Sequence, residues 1–292
     1  MKIGFVSATF SGTQLSAFRK LQRKDKTQIG ISELKGVTGF DTDYILCKST
    51  PDFVEGYRRK NKVRKEIFKG YDLQKAFILE SPFFPKAKDE YRLNIGGLMR
   101  TDSVFITEPN YEKLAEYRKL YKPIKTSGEF IGLPVQIPLD KSLRTLSPNR
   151  MLNYERFLSS KINELFNQYG KKIYLRKHPK MRPRDKFWDL FIRKLDPKKI
   201  EVQQKGSLED FLSKCEFVVT YTSNTAVECY MFGIPVYVEC DESWAWPLRM
   251  NGNATSLEEQ EKWLAILAAN QFNIVDFFKS KTYEDYLKAV GK

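Results

Sequence analysis

At 292 residues the chain is about twice the usual single-domain length, so it holds one large domain or two of roughly 140 residues each. Hydrophobic residues make up 41% of it, yet no tract approaches the roughly 18 to 20 apolar residues of a membrane span, which excludes a transmembrane protein. A formal net charge of +14 points to a polyanionic partner, because each neutralised phosphate releases condensed counterions.

The opening MKIGFVSATFSG is interrupted by Ser7, Thr9 and Gly12. It is too polar for a signal-peptide core and predicts a first β-strand over 3–8. Positive charge then gathers in two clusters. Arg19, Lys20, Arg23, Lys24 and Lys26 form one, and Arg58, Arg59, Lys60, Lys62, Arg64, Lys65 and Lys69 form the other. Residues 1–125 carry 25 Lys+Arg against 15 Asp+Glu, a surplus of +10. Solvated helix faces are often this basic, but two clusters in one half with no acidic balance favour a bound polyanion.

Further strands are predicted over 44–47, 76–79, 103–106, 130–137, 172–176, 216–220 and 235–239. Helices are predicted over 111–120, 152–168, 184–194, 207–214, 224–232 and 257–270. Ser207 and Asp210 form a capping box ahead of the fourth helix. Such alternation means an α/β fold with mainly parallel sheets. The segment YKPIKTSGE at 121–129 is rich in breakers, so the domain boundary is placed there: 1–125 and 126–292. Residues 130–239 read as a doubly wound half with its own sheet. The tail beyond about 257 reads as helical, and in architectures with two Rossmann-type domains such helices can cross back to the first.

Two segments carry the chemistry. KKIYLRKHP at 171–179 is a strand that ends in Arg176, Lys177, His178 and Pro179, at the sheet edge where open α/β folds bind ligands. These side chains offer donors to a diphosphate. EFVVTYTSNTAVECYMFGIPVYVE at 216–239 places Thr222, Ser223, Asn224 and Thr225 between a buried strand and a helix start, a pattern suited to an anion. One such residue is explained by capping, four in a row poorly. Glu228 follows about one turn on, within reach of ribose hydroxyls. Trp244–Ala245–Trp246–Pro247 reads equally as the wall of a nucleotide or sugar pocket or as a packing corner.

A strand ending in R-x-H-P, followed about forty residues on by this Ser/Asn turn and helix, resembles the carboxyl halves of GT-B glycosyltransferases of the capsule-synthesis and sialyltransferase type. The string TYTSNTAVECYMFGIPVYVECDESWAWPL with LEEQEKWLAILAANQF downstream, and YRLNIGGL at 91–98, are more similar still to phage-encoded glycosyltransferases of DNA base hypermodification. The resemblance covers roughly residues 76–279. It implies an α/β, GT-B-like fold with two Rossmann-type domains facing across a cleft: 1–125 for acceptor DNA, 126–292 for the nucleotide-sugar donor. It implies donor binding at His178, Ser223, Asn224 and Glu228, to which Arg176, Thr222 and Thr225 are added on their position. Thr222 stands where the family pattern has a second Ser.

Competing chemistries lose support. The cysteines Cys47, Cys215, Cys229 and Cys240 show no C-x-x-C spacing, and His178 is the only histidine, so zinc sets and H-E-x-x-H hydrolysis fail. The pattern predicts a reduced, cytoplasmic protein, in the host cytoplasm if phage-encoded. P-loop, G-x-G-x-x-G and G-x-S-x-G signatures are absent. Asp41–Thr42–Asp43 matches a D-x-D metal motif but lacks the rest of that fold.

The expectation is therefore a monomeric, metal-independent enzyme with no membrane association. It would move glucose or a pentose such as arabinose from a nucleotide sugar, a UDP-sugar, onto 5-hydroxymethylcytosine in double-stranded phage DNA. Arg58, Arg59, Lys60, Lys62, Arg64 and Lys65 would hold the DNA. An inverting transfer needs a carboxylate base; Glu80, at the end of a strand, is the first candidate and Asp102 the second. The alternatives are a glycosyltransferase acting on a surface polysaccharide and a catalytically inactive nucleic-acid-binding relative.

Overall fold

The computed structural model describes residues 2–6, 30–34, 44–48, 75–181, 186–250, 252, 255–279 and 282–291. Among these the chain forms two compact units. One is Met1–Tyr117 together with Leu264–Lys292, and the other is Arg118–Trp263. The divide thus falls a few residues before the breaker-rich 121–129, and the carboxyl tail groups with the first unit rather than with the second.

The first unit contains a mixed sheet. Parallel strands β1 (Lys2–Val6), β2 (Gly30–Leu34), β3 (Tyr44–Lys48) and β4 (Ala76–Glu80) stand in the order β2-β1-β3-β4. The antiparallel strand β5 (Glu90–Ile95) follows, and β11 (Gln271–Asn273) closes the series. Strand β4 reads AFILE, with four apolar residues buried in succession, as expected of a strand covered on both faces.

The tail joins this unit through its core. Helices α7 (Ile274–Lys279) and α8 (Thr282–Ala289) bring Phe277, Tyr283, Tyr286 and Leu287 into one cluster with Phe77, Leu79, Leu93 and Ile95. Phe77 and Phe277 meet edge to face at 6.3 Å, and the Tyr286 hydroxyl donates to the Leu93 carbonyl at 3.2 Å. At β11 the buried Gln271 accepts from Phe84 N at 2.9 Å and donates to Glu90 Oε2 at 2.9 Å.

The second unit is all parallel. Strands β6 (Phe130–Val135), β7 (Ile173–Lys177), β8 (Ile200–Val202), β9 (Cys215–Thr220) and β10 (Val236–Val238) stand in the order β10-β9-β6-β7-β8. Numbered within the unit this is 3-2-1-4-5, the doubly wound order, and its direction reverses between β6 and β9. Helix α2 (Arg150–Tyr169) covers one face. Its Tyr154, Leu158, Ile162 and Leu165 are buried at spacings of three or four residues, a core-facing stripe. Gly170, at φ 64°, ends that helix and returns its N–H to Phe166 O at 2.8 Å.

Gly132 in β6 allows the tightest approach in this sheet. A Cβ there would stand 2.7 Å from Cys215 Sγ, 2.9 Å from Val218 Cγ2 and 3.0 Å from Phe211 Cζ. Pairing of β6 with β9 runs only from Phe130 to Gly132, whereas pairing with β7 continues to Val135. Pro134, without an N–H, lies beyond the end of the β9 ladder, so the two strands part toward their carboxyl ends.

Residues 103–106 do not form the predicted strand. Val104 makes a single antiparallel bridge to Ile95, because the chain turns through Gly96–Asp102 and only one residue comes into register. The capping box is present: Asp210 N donates to Ser207 Oγ at 3.0 Å, and Ser207 N to Asp210 Oδ2 at 2.7 Å. Among the described residues no helix is long and apolar enough to cross a membrane.

Candidate functional site

The switch point of the second sheet lies between the carboxyl ends of β6 and β9, where an open α/β sheet offers its ligand crevice. The loop after β6 begins with Gln136, which is 6% exposed. Its backbone N–H donates to the Tyr154 hydroxyl at 2.8 Å. Burial raises the Tyr154 pKa and keeps that hydroxyl protonated. The Gln136 side chain crosses the gap. Its Oε1 accepts from Thr222 N at 3.0 Å, and its Nε2 donates to Thr222 Oγ1 at 3.0 Å and to Ser142 Oγ at 3.2 Å.

The turn after β9 carries four of the expected residues. Thr222 is buried, while Ser223, Asn224 and Thr225 are half-buried. Ser223 Oγ accepts from Thr225 N at 3.2 Å, so one of the four hydroxyl and amide groups is occupied as a cap at the start of helix α5 (Thr225–Met231). Thr222 is held by Gln136 instead. The remaining side chains are therefore not all explained as caps.

At the end of β7, Arg176 and His178 are both half-buried and face different neighbours. Arg176 Nη1 donates to Gln203 Oε1 at 2.5 Å, Ser207 O at 3.2 Å and Gly206 O at 3.3 Å, so the guanidinium braces the loop after β8. Burial lowers its pKa, opposed by the carboxylates of Glu228, Glu209 and Asp210. That opposition puts Glu228 in the same electrostatic neighbourhood as Arg176. His178 Nδ1 accepts from Lys180 N at 3.1 Å. Burial lowers the His178 pKa, countered by Asp140 and reinforced by Lys180 and Arg176. At neutral pH the ring is uncharged with its proton on Nε2, a donor suited to an anion.

Two further contacts frame the edge, and neither was read from the sequence. Arg144 Nε meets Glu242 Oε2 at 2.8 Å, and the Thr145 hydroxyl meets the Tyr221 hydroxyl at 2.9 Å. They tie the Lys141–Leu146 turn to the segments after β10 and β9. Trp244 is a packing corner rather than a pocket wall. It is 2% exposed, lies parallel to Trp263 at 6.5 Å, and its carbonyl accepts from Trp263 Nε1 at 2.7 Å. Trp246 has the Arg249 guanidinium 3.9 Å from its ring centroid, which occupies that face.

In the first unit Glu80 ends β4, half-buried, and its Oε2 accepts from Ser81 N at 3.4 Å. Asp102 Oδ1 accepts from Met99 N at 2.8 Å, closing a turn in which a Cβ on Gly97 would overlap the Asp102 carboxylate at 2.2 Å. Within YRLNIGGL, Asn94 donates to Gly97 O and to Ser103 Oγ, which makes this motif a turn-building one. Arg58, Arg59, Lys60, Lys62, Arg64 and Lys65, like Asp41 and Asp43, lie outside the described residues. Among the described residues no group of three or more His, Cys, Asp or Glu side chains is placed to hold a metal ion.

No protein-family profile matches the chain, and no curated protein matches it. Solved structures do. The beta Kdo 2,4 transferase of Thermosulfurimonas dismutans KpsC superposes with a TM-score of 0.56 at 15% identity, covering 93% of this chain and 91% of that one. The beta Kdo 2,7 transferase of the same protein gives 0.54 at 14% identity, covering 92% and 91%. The fold is α/β and GT-B-like, as the sequence led one to expect.

Proposed function

We propose that the chain is a nucleotide-sugar-dependent glycosyltransferase whose donor binds at the carboxyl edge of the second sheet. The observation that carries this reading is that the two strands flanking β6 in a doubly wound sheet end in polar turns at the same edge, β7 at a neutral His178 and β9 at the Thr222–Thr225 turn, with the Glu228 carboxylate near enough to influence the Arg176 guanidinium. His178 and the turn supply donors for the phosphates, and Glu228 supplies acceptors for ribose hydroxyls. In the transfer, the bond between the anomeric carbon and the phosphate oxygen breaks, and the electron pair leaves with the nucleotide. Fixed donors aimed at that growing charge stabilise it without reorganisation.

The acceptor hydroxyl attacks the anomeric carbon and gives its proton to a carboxylate. Glu80, the last residue of β4, is the candidate base, ahead of Asp102, whose carboxylate closes the turn at Met99 with the shorter bond, 2.8 Å against the 3.4 Å from Ser81 N to Glu80. For the acceptor, the surplus of +10 over residues 1–125 favours double-stranded DNA carrying 5-hydroxymethylcytosine, with Arg58, Arg59, Lys60, Lys62, Arg64 and Lys65 on its phosphates. A saccharide acceptor is the second reading, favoured by the likeness to two Kdo transferases.

The test is to incubate the protein with a panel of nucleotide sugars and either hydroxymethylcytosine DNA or oligosaccharides, followed by mass spectrometry of nucleosides and glycans. A hexose or pentose mass added to the modified nucleoside supports the first reading. A product found only on the saccharide moves the acceptor to the second, and no product with any donor overturns both.

A further inference from the structure

The proton positions between β6 and β9 are fixed by elimination. Thr222 N–H can only donate, so the Gln136 atom 3.0 Å away is the amide oxygen. The Gln136 NH2 group then faces Thr222 Oγ1 and Ser142 Oγ. Ser142 accepts one amide proton and passes its own to Asp140 Oδ1 at 2.7 Å, which completes that arm. Thr222 accepts the other amide proton. Its own hydroxyl proton has no acceptor among the described residues, although Thr222 is only 4% exposed. A buried donor left unmet is costly, and this one sits beside the anion-suited turn.

We infer that Gln136 is a positioning residue that forces the Thr222 hydroxyl to act as a hydrogen-bond donor to an oxygen of the bound ligand, a phosphate oxygen of the nucleotide. This inference rests on the proposed donor site. Gln136 itself does not touch the nucleotide. It fixes the direction of the proton on the residue that does, and it holds the turn after β9 against the loop after β6.

Three substitutions separate this role from simple support. Thr222→Val removes the hydroxyl at nearly constant shape. Gln136→Glu keeps an acceptor for Thr222 N–H but takes away the amide donor, so the Thr222 proton turns inward to the carboxylate. Thr222→Ser keeps the hydroxyl. Binding of UDP and of CMP is measured by calorimetry, with thermal midpoints as the folding control. Thr222→Val and Gln136→Glu are each expected to weaken the bound nucleotide about tenfold or more, the loss of one hydrogen bond to a charged group, and Thr222→Ser is expected to restore it.

The double variant decides the mechanism. If Gln136 acts through the Thr222 proton, Gln136→Glu costs nothing further once Thr222 is Val. Equal losses in both backgrounds would mean charge repulsion or general loosening, and would overturn the inference. So would a Thr222→Val variant that binds as the parent does. A parent that binds neither nucleotide overturns the donor site itself, which is a separate outcome.

Discussion

His178 Nδ1 accepts the backbone N–H of Lys180 at 3.1 Å, two residues further along the same loop. This contact decides the tautomer: with Nδ1 used as an acceptor, the single proton of the neutral ring sits on Nε2. Partial burial lowers the pKa of the group, and Lys180 and Arg176 reinforce it against Asp140.

A pH dependence with a definite sign follows. The folded pKa lies below the ordinary value of 6.5, so between the two values the unfolded chain binds more protons and stability rises with pH. The contribution is complete above 6.5 and is lost as pH falls toward the folded value. A bound anion acts oppositely, because it favours the charged ring. Nucleotide affinity is therefore expected to strengthen as pH drops below 6.5, and His178→Gln should abolish that dependence while leaving affinity at pH 8 only modestly reduced. Calorimetric titrations across that range check it, and a His178→Gln profile parallel to the parent's would remove His178 from the site.

Gly132→Ala is expected to destabilise the second unit by about 1 to 3 kcal/mol, the usual cost of overpacking a filled core. The added methyl meets Cys215 Sγ, Val218 Cγ2 and Phe211 Cζ at 3.0 Å or less, and all three neighbours are buried. Denaturant unfolding measures the change. Because β6 flanks the switch point, nucleotide affinity should fall with it, and a variant as stable as the parent would show that the two strands can separate freely.

The donor reading predicts activity without a divalent ion. On that reading His178 and the Thr222–Thr225 turn would stabilise the leaving phosphate in place of a metal, so turnover should survive EDTA. Complete loss on chelation, restored by magnesium or manganese, would bring Asp41 and Asp43 back as ligands.

The acceptor reading makes a prediction about salt. Duplex DNA without modified bases should already bind at low ionic strength, since phosphate contacts carry affinity but no sequence information. Log affinity should fall linearly with log salt with a slope of about −0.9 per phosphate, or roughly −4 to −5 for four to six contacts. Replacing Arg58, Arg59, Lys60 and Lys62 together by Gln should flatten that slope while nucleotide affinity stays unchanged. A quadruple variant with the parent's slope would shift the acceptor to a saccharide.

Local pattern carried a large part of this protein's structure. The buried runs of β4, β6, β7 and β9, the Ser207–Asp210 box and the 152–168 helix are all readable in sequence, because burial on both sheet faces and the helical repeat leave signatures within ten to twenty residues. The strand ends at Arg176–His178 and Thr222–Thr225 were legible for the same reason, as polar residues abruptly following apolar runs. Tertiary structure decided what depends on partners far along the chain. Strand β11, only three residues long, exists because β5 offers it an edge 180 residues away, and the tail joins the first unit because Phe277 and Tyr286 complete the core around Phe77. Gln136 carries no signal in a single sequence, since a glutamine after a strand is ordinary until the sheet order β8-β7-β6-β9-β10 sets it opposite Thr222. Trp244 became a packing corner by the same kind of distant contact, with Trp263. Side-chain type and spacing are local properties, whereas the partner that satisfies a buried amide or fills a cavity is fixed only when the sheets close.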